Sequence, residues 1–210
     1  MRSRSDVLEL AILGLLAETP MHGYELRKRL NLLLGSFRAL SYGSLYPALK
    51  TLAERRLIVG ADGTQTPPPH ALTGKRARIV YQLTAEGKEH LAEMLATAGP
   101  SSWEDEHFGV RFALFSQTDA ETRLRILEGR RTRLTERLEQ VRQSAARTRE
   151  RIDEYTLELQ RHGLEQVERE VKWLDGLIDN ERDARRRATS EGRGRSTGPD
   201  TAAGAPAPQH

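Results

Sequence analysis

The 210-residue chain contains no cysteine, which excludes a disulfide scaffold, a thiol nucleophile and any cysteine-ligated metal site. Aromatic residues make up only 5% of the sequence, fewer than a β-sandwich core uses. No apolar run approaches the roughly 20 residues that a membrane-spanning helix needs. The apolar stretch 7–16 is interrupted by Glu9, and no small-residue cleavage site follows it, so it does not resemble a signal peptide. We therefore expect a cytoplasmic protein.

The charge is unevenly distributed along the chain. Residues 1–83 carry twelve Lys and Arg against six Asp and Glu, whereas residues 84–180 carry fifteen against twenty. Residues 181–210 carry six against four. A basic first part followed by an acidic middle part suggests a polyanion partner for the former and self-association for the latter.

Apolar periodicity predicts a mainly α fold. Three helices are expected over residues 6–18, 21–34 and 44–56, followed by two strands near 57–59 and 76–83. A long segment with three consecutive prolines joins the strands into a two-stranded hairpin, and a further helix then ends near residue 97. Three helices and a hairpin are the order of a winged helix-turn-helix, in which the third helix enters the major groove of DNA. The alternative is an ordinary small α/β domain with a solvated, charged hairpin.

Capping residues define the expected helix starts. Asp6 followed by Glu9 predicts a capping box for the first helix. Ser44 is the predicted N-cap of the third helix, which places Pro47 in a first turn, where the missing N–H costs little. Thr84 is predicted to cap the helix that follows the hairpin.

The C-terminal half predicts a dimerisation domain of long helices. We expect a winged-helix domain over residues 1–97, a linker at 98–102, a helical domain over 103–188 and a disordered tail at 189–210. The long helix should start at a Thr118-Asp119 cap and break at Gly163. Apolar positions repeat at alternating steps of three and four, and they must pack on each other, on a partner chain, or on both. The predicted dimerisation residues are Leu124, Leu127, Leu134, Leu138, Val141, Leu164, Val167, Val171, Leu174 and Ile178.

Three motifs in the first half carry a family resemblance. They are PMHGYEL at 20–26, SYGSLYPAL at 41–49 and RIVYQLTAEG at 78–87. In this order the chain resembles the PadR family of transcriptional regulators, in the larger subtype with a long C-terminal helical domain. The resemblance implies winged-helix domains joined into a homodimer by C-terminal helices. It also implies binding to a double-stranded DNA operator, most often as a repressor and often under control of a small-molecule effector.

The candidate DNA contacts come from the third helix and the wing. Hydroxyl and ammonium groups of the helix are suited to phosphate contacts, although Tyr42 and Tyr46 have core packing as their alternative. The wing departs from the family pattern, since its tip is longer than the expected short basic turn. The candidate residues are Ser41, Tyr42, Ser44, Tyr46, Lys50, Lys75, Arg76 and Arg78.

Other functional classes find little support in the sequence. The six histidines are scattered without ligand spacing, and there is no phosphate loop, serine elbow or pair of carboxylates in a plausible pocket. We therefore expect no metal, no cofactor and no enzymatic activity. Trp103 and Trp173 are candidates for an effector pocket, with plain packing as the alternative. The second functional hypothesis is a winged-helix and coiled-coil assembly module that binds protein and not DNA.

Overall fold

The computed structural model describes residues 2–34, 42–60, 79–148 and 153–194. Two short 3₁₀ turns, Pro100–Trp103 and Phe115–Gln117, flank the fifth helix. The regular elements in chain order are α1 (Arg2–Glu18), β1 (Met21–His22), α2 (Gly23–Leu34), α3 (Tyr42–Glu54), β2 (Ile58–Gly60), β3 (Val80–Leu83), α4 (Ala85–Ala96), α5 (Asp105–Ala113), α6 (Ala120–Thr148) and α7 (Glu154–Gly194).

The N-terminal elements form a winged helix around α1. This helix is apolar on nearly every side, and Ala11, Ile12 and Leu13 are completely buried, as the sequence predicts. The sheet is antiparallel in the order β1-β3-β2. The prediction of a two-stranded hairpin was incomplete, because β1 pairs with β3 through Met21 and Tyr81. A strand of two residues is too short to show an alternating pattern.

Two predicted helix starts were wrong. Because α1 begins at Arg2, Asp6 lies inside the helix and does not cap it. Because α3 begins at Tyr42, Ser44 is not its N-cap and Pro47 lies inside the helix. The missing N–H of Pro47 removes one backbone bond near the start of α3, which the buried apolar face of the helix offsets.

The predicted cap of α4 is confirmed. The Thr84 hydroxyl accepts a hydrogen bond from the backbone N–H of Gly87 at 2.9 Å and donates one to the carbonyl of Arg56 at 2.7 Å. Gly87 is required here because a Cβ at this position would lie 2.0 Å from the carbonyl oxygen of Leu57. The start of α4 therefore packs directly on the backbone that leaves α3.

The long helices form an antiparallel hairpin. The predicted break at Gly163 was wrong, since α7 begins at Glu154 and runs through this glycine. At the new start, the Asp153 carboxylate accepts the backbone N–H of Thr156 at 3.0 Å, an N-cap that fixes the helix end. α7 continues to Gly194, beyond the predicted domain limit of 188. The rest of the predicted tail, 195–210, lies outside the described residues.

α5 packs on both parts of the chain. Val110 and Leu114 complete the N-terminal core, whereas Phe108 belongs to a second core between α6 and α7. A Cβ at Gly14 would lie 2.5 Å from Cδ2 of Leu114, the residue after α5, so the end of α5 packs closely on α1. The amide of Gln117 also donates to the carbonyl of Gly14 at 3.1 Å. The predicted linker at 98–102 thus leads into a helix that is shared by the two parts.

Candidate nucleic-acid interface

α3 has one buried and one polar face. Leu45 and Leu49 are completely buried in the N-terminal core, which fixes the orientation of the helix. Ser44, Lys50 and Glu54 lie on the exposed side. An anchored apolar face with a polar outer face is the arrangement that a helix needs to enter the major groove.

The structure places only some of the predicted DNA contacts. Lys50 is exposed, and its Nζ lies 3.7 Å from Oε1 of Glu54, an exposed pair that holds the ammonium group weakly. Ser44 is exposed on the same helix, and Tyr42 begins it. The remaining candidates other than Tyr46 lie outside the described residues; they are Ser41, Lys75, Arg76 and Arg78.

Tyr46 lies between the core and the surface. It is half-buried and packs against the N-terminal core. An ideal Cβ at Gly23 would lie 3.5 Å from its hydroxyl oxygen, so the phenol group reaches the first residue of α2. Its ring therefore packs on protein, and its hydroxyl lies where α2 and α3 approach each other.

A long-range polar cluster holds the C-terminal end of α3. Arg55 Nη1 lies 2.7 Å from one oxygen of Glu9, and His90 Nε2 lies 2.7 Å from the other. The chain then leaves the helix at Arg56, whose φ of 58° is left-handed. The sequence analysis missed this cluster, because Glu9, Arg55 and His90 are too far apart along the chain for any local spacing to reveal them.

Most of the predicted dimerisation residues are buried within one chain. Ion pairs run antiparallel along α6 and α7, from Arg123 with Glu181 to Arg142 with Glu168. Between the two helices, the predicted apolar seam is covered by the chain itself. The buried seam residues are Leu127, Leu134, Leu138, Leu174 and Ile178, and those partly buried against the same core are Leu124, Val167 and Val171.

The far end of the hairpin exposes apolar surface. Val141 on α6 is 37% exposed and Leu159 on α7 is 70% exposed. Together with Leu164 they line a groove of about 280 Å³ between the two helices, which we call the distal groove. Tyr155 and Leu157 are exposed near the start of α7. Apolar surface of this kind in a continuous patch marks a contact surface.

The two tryptophans have different packing partners. Trp103 lies against Gly129 of α6, where a Cβ would approach its ring to 2.3 Å. Trp173 on α7 is 45% exposed, and its ring packs edge-on against Phe108 and Phe112 of α5, with the Phe112 centroid at 5.2 Å. The structure therefore places Trp173 in an aromatic cluster with α5 and Trp103 on a helix surface.

Neither a metal site nor a membrane span is found in the described part of the chain. No group of three or more His, Asp or Glu side chains there is arranged to hold a metal ion. None of the described helices combines the length and apolarity of a membrane span.

The comparison with protein families decides the identity of the first domain. Residues 12–93, which include α2, α3, the sheet and most of α4, match the model of the transcriptional regulator PadR-like family. The winged-helix domain belongs to the PadR-like family. The PadR resemblance of the three sequence motifs is thus confirmed, as is the winged-helix fold. The family whose model matches this domain consists of transcriptional regulators.

The PadR structures of Bacillus subtilis are similar to this chain. The structure of that PadR in complex with operator DNA is 21% identical, with a TM-score of 0.37, covering 83% of this chain and 99% of the other. Its complex with p-coumaric acid has the same identity and TM-score and covers 83% and 98%. A third crystal structure of the same PadR is 20% identical, with a TM-score of 0.37, and covers 84% of this chain and 96% of the other. No curated protein matches this chain.

Proposed function

We propose that the protein is a homodimeric, sequence-specific DNA-binding repressor that a small-molecule effector releases from its operator. The single observation that carries DNA binding is α3, a helix anchored by Leu45 and Leu49 with a polar outer face, in a winged-helix domain of the PadR-like family. In this proposal residues 1–97 bind DNA and residues 103–188 mediate dimerisation. The excess of basic residues over 1–83 adds attraction to the phosphate backbone.

The proposed base and phosphate contacts come from the outer face of α3. Lys50 supplies a cation and Ser44 a hydroxyl donor, which are the groups that position a protein on phosphates. Tyr46 offers its hydroxyl beside the start of α2, where backbone N–H groups add further donors. Ser41, Tyr42, Lys75, Arg76 and Arg78 are further proposed DNA contacts, and these five rest on the sequence alone.

The distal groove supports the homodimer. Val141 and Leu159 leave apolar surface in water on an otherwise charged hairpin, and a second copy of the same hairpin offers matching surface. Two domains held by a symmetric interface can reach half-sites about 34–36 Å apart. A monomer has few base contacts and is expected to bind weakly.

α5 supports control by an effector. Leu114, directly after this helix, packs on α1, and Phe108 and Phe112 within it pack on Trp173 of α7. A ligand that moves α5 would change the position of the winged helix relative to the dimer. Trp173 and Trp103 remain our candidates for side chains that face the ligand.

The test is a DNA titration at several salt concentrations, using the region upstream of the protein's own coding sequence. Lys50→Ala should weaken binding and reduce the slope of log K against log salt by about 0.9, the value for one lost phosphate contact. Lys172→Ala on α7 is the matched control, because it removes an exposed lysine from the other half of the chain. Failure of the unmodified protein to bind DNA would favour the assembly-module hypothesis instead.

A further inference from the structure

The charge of α7 changes sign along the helix. Residues 154–182 carry four Lys and Arg against eight Asp and Glu, whereas residues 183–190 carry three Arg against one Asp. Every residue of 183–190 is exposed, and none has an apolar side chain larger than that of alanine. We call residues 183–190 the basic arm. Protein interfaces have an apolar core, and helices that bind membranes carry large apolar side chains, so the composition of the arm favours a soluble polyanion.

The basic arm lies beyond the part of α7 that is paired with α6. Arg123 in the first turn of α6 pairs with Glu181 at 2.8 Å, and Arg182 reaches back to Glu128 at 2.6 Å. α7 continues from Glu181 to Gly194, which is about 20 Å at about 1.5 Å per residue. α6 has only three residues before Arg123. The arm therefore extends past the first residue of α6.

The arm is at the end of the hairpin that adjoins the winged helix. The amide of Gln117, directly before α6, donates to the carbonyl of Gly14 in α1 at 3.1 Å. Arg123 also donates to the carbonyl of Thr118 at 2.8 Å, so the start of α6 is fixed to this junction. The distal groove, lined by Leu159, is at the opposite end of α7. The arm thus lies on the side of the domain that we propose to bind DNA.

Two cations of the basic arm have no acidic partner in the described part of the chain. Arg186 pairs with Asp183, whereas Arg187 donates only to the backbone carbonyl of Asp183 at 3.4 Å. Arg185 forms no ion pair with any described residue. Basic residues stabilise the C-terminus of a helix within its last turn, but α7 continues for seven residues after Arg187. Helix stability alone therefore does not account for these arginines.

We propose that the basic arm binds the phosphate backbone of double-stranded DNA beside the site that the winged helix contacts. Successive residues are about 100° apart around a helix, so Arg185, Arg186 and Arg187 spread their cations over more than half of its circumference. Guanidinium groups bind phosphate oxygens in this way without reading the base sequence. The inference rests on the proposed function and adds to it a contact outside the winged-helix domain.

The test is a titration of the full chain at several salt concentrations with two duplexes of equal length. One contains the region upstream of the protein's own coding sequence, and the other is unrelated to it. Arg185→Gln with Arg187→Gln should reduce the slope of log K against log salt by about 1.8 for each bound arm, at about 0.9 per contact. At low salt the affinity for both duplexes should fall by a similar factor, at least about tenfold.

The matched control is Arg161→Gln with Arg169→Gln. These are two exposed arginines of the same helix, each paired with a glutamate and nearer to the distal groove. The control should keep the slope of the unmodified protein. Circular dichroism of both double variants should be unchanged, because the substituted side chains are exposed and glutamine is a good helix former.

The inference is overturned if the arm variant keeps the slope of the unmodified protein or loses no more than the control. Titration with polyglutamate tests for an acidic protein as the partner. If the arm substitutions weaken only this binding and not DNA binding, the inference is also overturned.

Failure of the arm can be distinguished from failure of the proposed function. Preference for the upstream duplex together with an unchanged slope in the arm variant rejects the arm alone. Equal affinity for the two duplexes, with a reduced slope in the arm variant, rejects sequence-specific binding and supports the arm. A protein that binds neither duplex contradicts both.

Discussion

The Glu9 carboxylate lies 2.7 Å from Nη1 of Arg55 and so connects the first helix to the end of the proposed recognition helix. Its other oxygen binds His90 Nε2, and Arg55 Nη2 lies 3.2 Å from the same nitrogen. Glu9 is mostly buried, whereas Arg55 is 42% exposed on its side chain. The carboxylate of Glu9 therefore connects three helices and fixes the orientation of α3 within the domain.

A double-mutant cycle should measure this connection. For Glu9→Gln and Arg55→Gln we expect a coupling free energy of about 1 kcal/mol, at the upper end for partly exposed pairs. Lys50 and Glu54 provide the control, because both are more than half exposed and 3.7 Å apart, so their coupling should be about 0.3 kcal/mol. Urea unfolding of the two sets of variants gives both values. Equal coupling in the two pairs would mean that Glu9 does not position α3.

The surroundings of Gly87 and Gly176 predict opposite effects of an alanine substitution on the free energy of unfolding. Gly87→Ala places a Cβ 2.0 Å from the carbonyl oxygen of Leu57, and because the neighbour is backbone it cannot rotate away. We expect a loss of about 3 kcal/mol of the free energy of unfolding. Gly176→Ala meets nothing within 4 Å inside α7 and should gain about 1 kcal/mol of helix propensity. Thermal unfolding checks both, and a neutral Gly87→Ala would contradict the close approach of α4 to Leu57.

Local sequence patterns predicted the elements whose structure depends mainly on neighbouring residues in the chain. The buried α1, the Thr84 cap and the alternation of Tyr81 with Gln82 in β3 follow from periodicity and capping chemistry within a few residues. The two-residue β1 was missed because its only stabilisation comes from pairing with β3, far along the chain. The heptad pattern identified the seam of α6 and α7 but could not say whether the chain or a partner covers it.

The start of α7 shows a second limit of what the sequence can predict. Gly163 suggested a break, but a glycine inside a long amphipathic helix costs only about 1 kcal/mol, which the packing of α7 outweighs. The actual start of α7 is marked by Asp153, whose side chain accepts from both the backbone and the hydroxyl of Thr156.

Asp119 predicts a pH dependence of the stability of α6. Hydrogen bonds from the side chain and the backbone N–H of Thr122 hold the pKa of Asp119 below its usual value of about 3.9. A lowered folded pKa means that the stabilising contribution is present above the unfolded value and is lost as the pH falls through the folded pKa.

Asp119→Ala should therefore cost about 1 kcal/mol at neutral pH, and the difference from the unmodified protein should shrink below pH about 4. Asp119→Asn keeps a capping acceptor without a titrating carboxylate, so the difference in stability between the asparagine and alanine variants should not vary over this range. Urea unfolding at several pH values measures both. A cost for the alanine variant that is independent of pH would mean that Asp119 does not cap α6 as a carboxylate.

Charges placed within the α6–α7 seam should unfold the hairpin. Leu134 and Leu138 are buried between the two helices, so Leu134→Glu with Leu138→Glu buries two carboxylates inside one chain. We expect a loss of more than about 4 kcal/mol and a broad loss of helical structure. Circular dichroism would reveal it. A folded monomer would instead show that this part of the seam faces a partner.

Charges placed in the distal groove should separate the protomers and leave each one folded. Val141 is 37% and Leu159 70% exposed in the single chain, so Val141→Asp with Leu159→Asp removes less intramolecular packing than substitution of the buried Leu134 and Leu138. If a second copy covers the groove, each aspartate faces apolar surface and the matching aspartates of the other protomer. The association constant of the dimer should then fall by at least about a hundredfold. Leu32→Asp on α2 is the matched control, since Leu32 is 76% exposed and far along the chain from the groove. Sedimentation equilibrium and DNA titration on the same samples would show monomers that bind the operator more weakly. A dimer unaffected by the groove substitutions would require the protomers to meet at another surface.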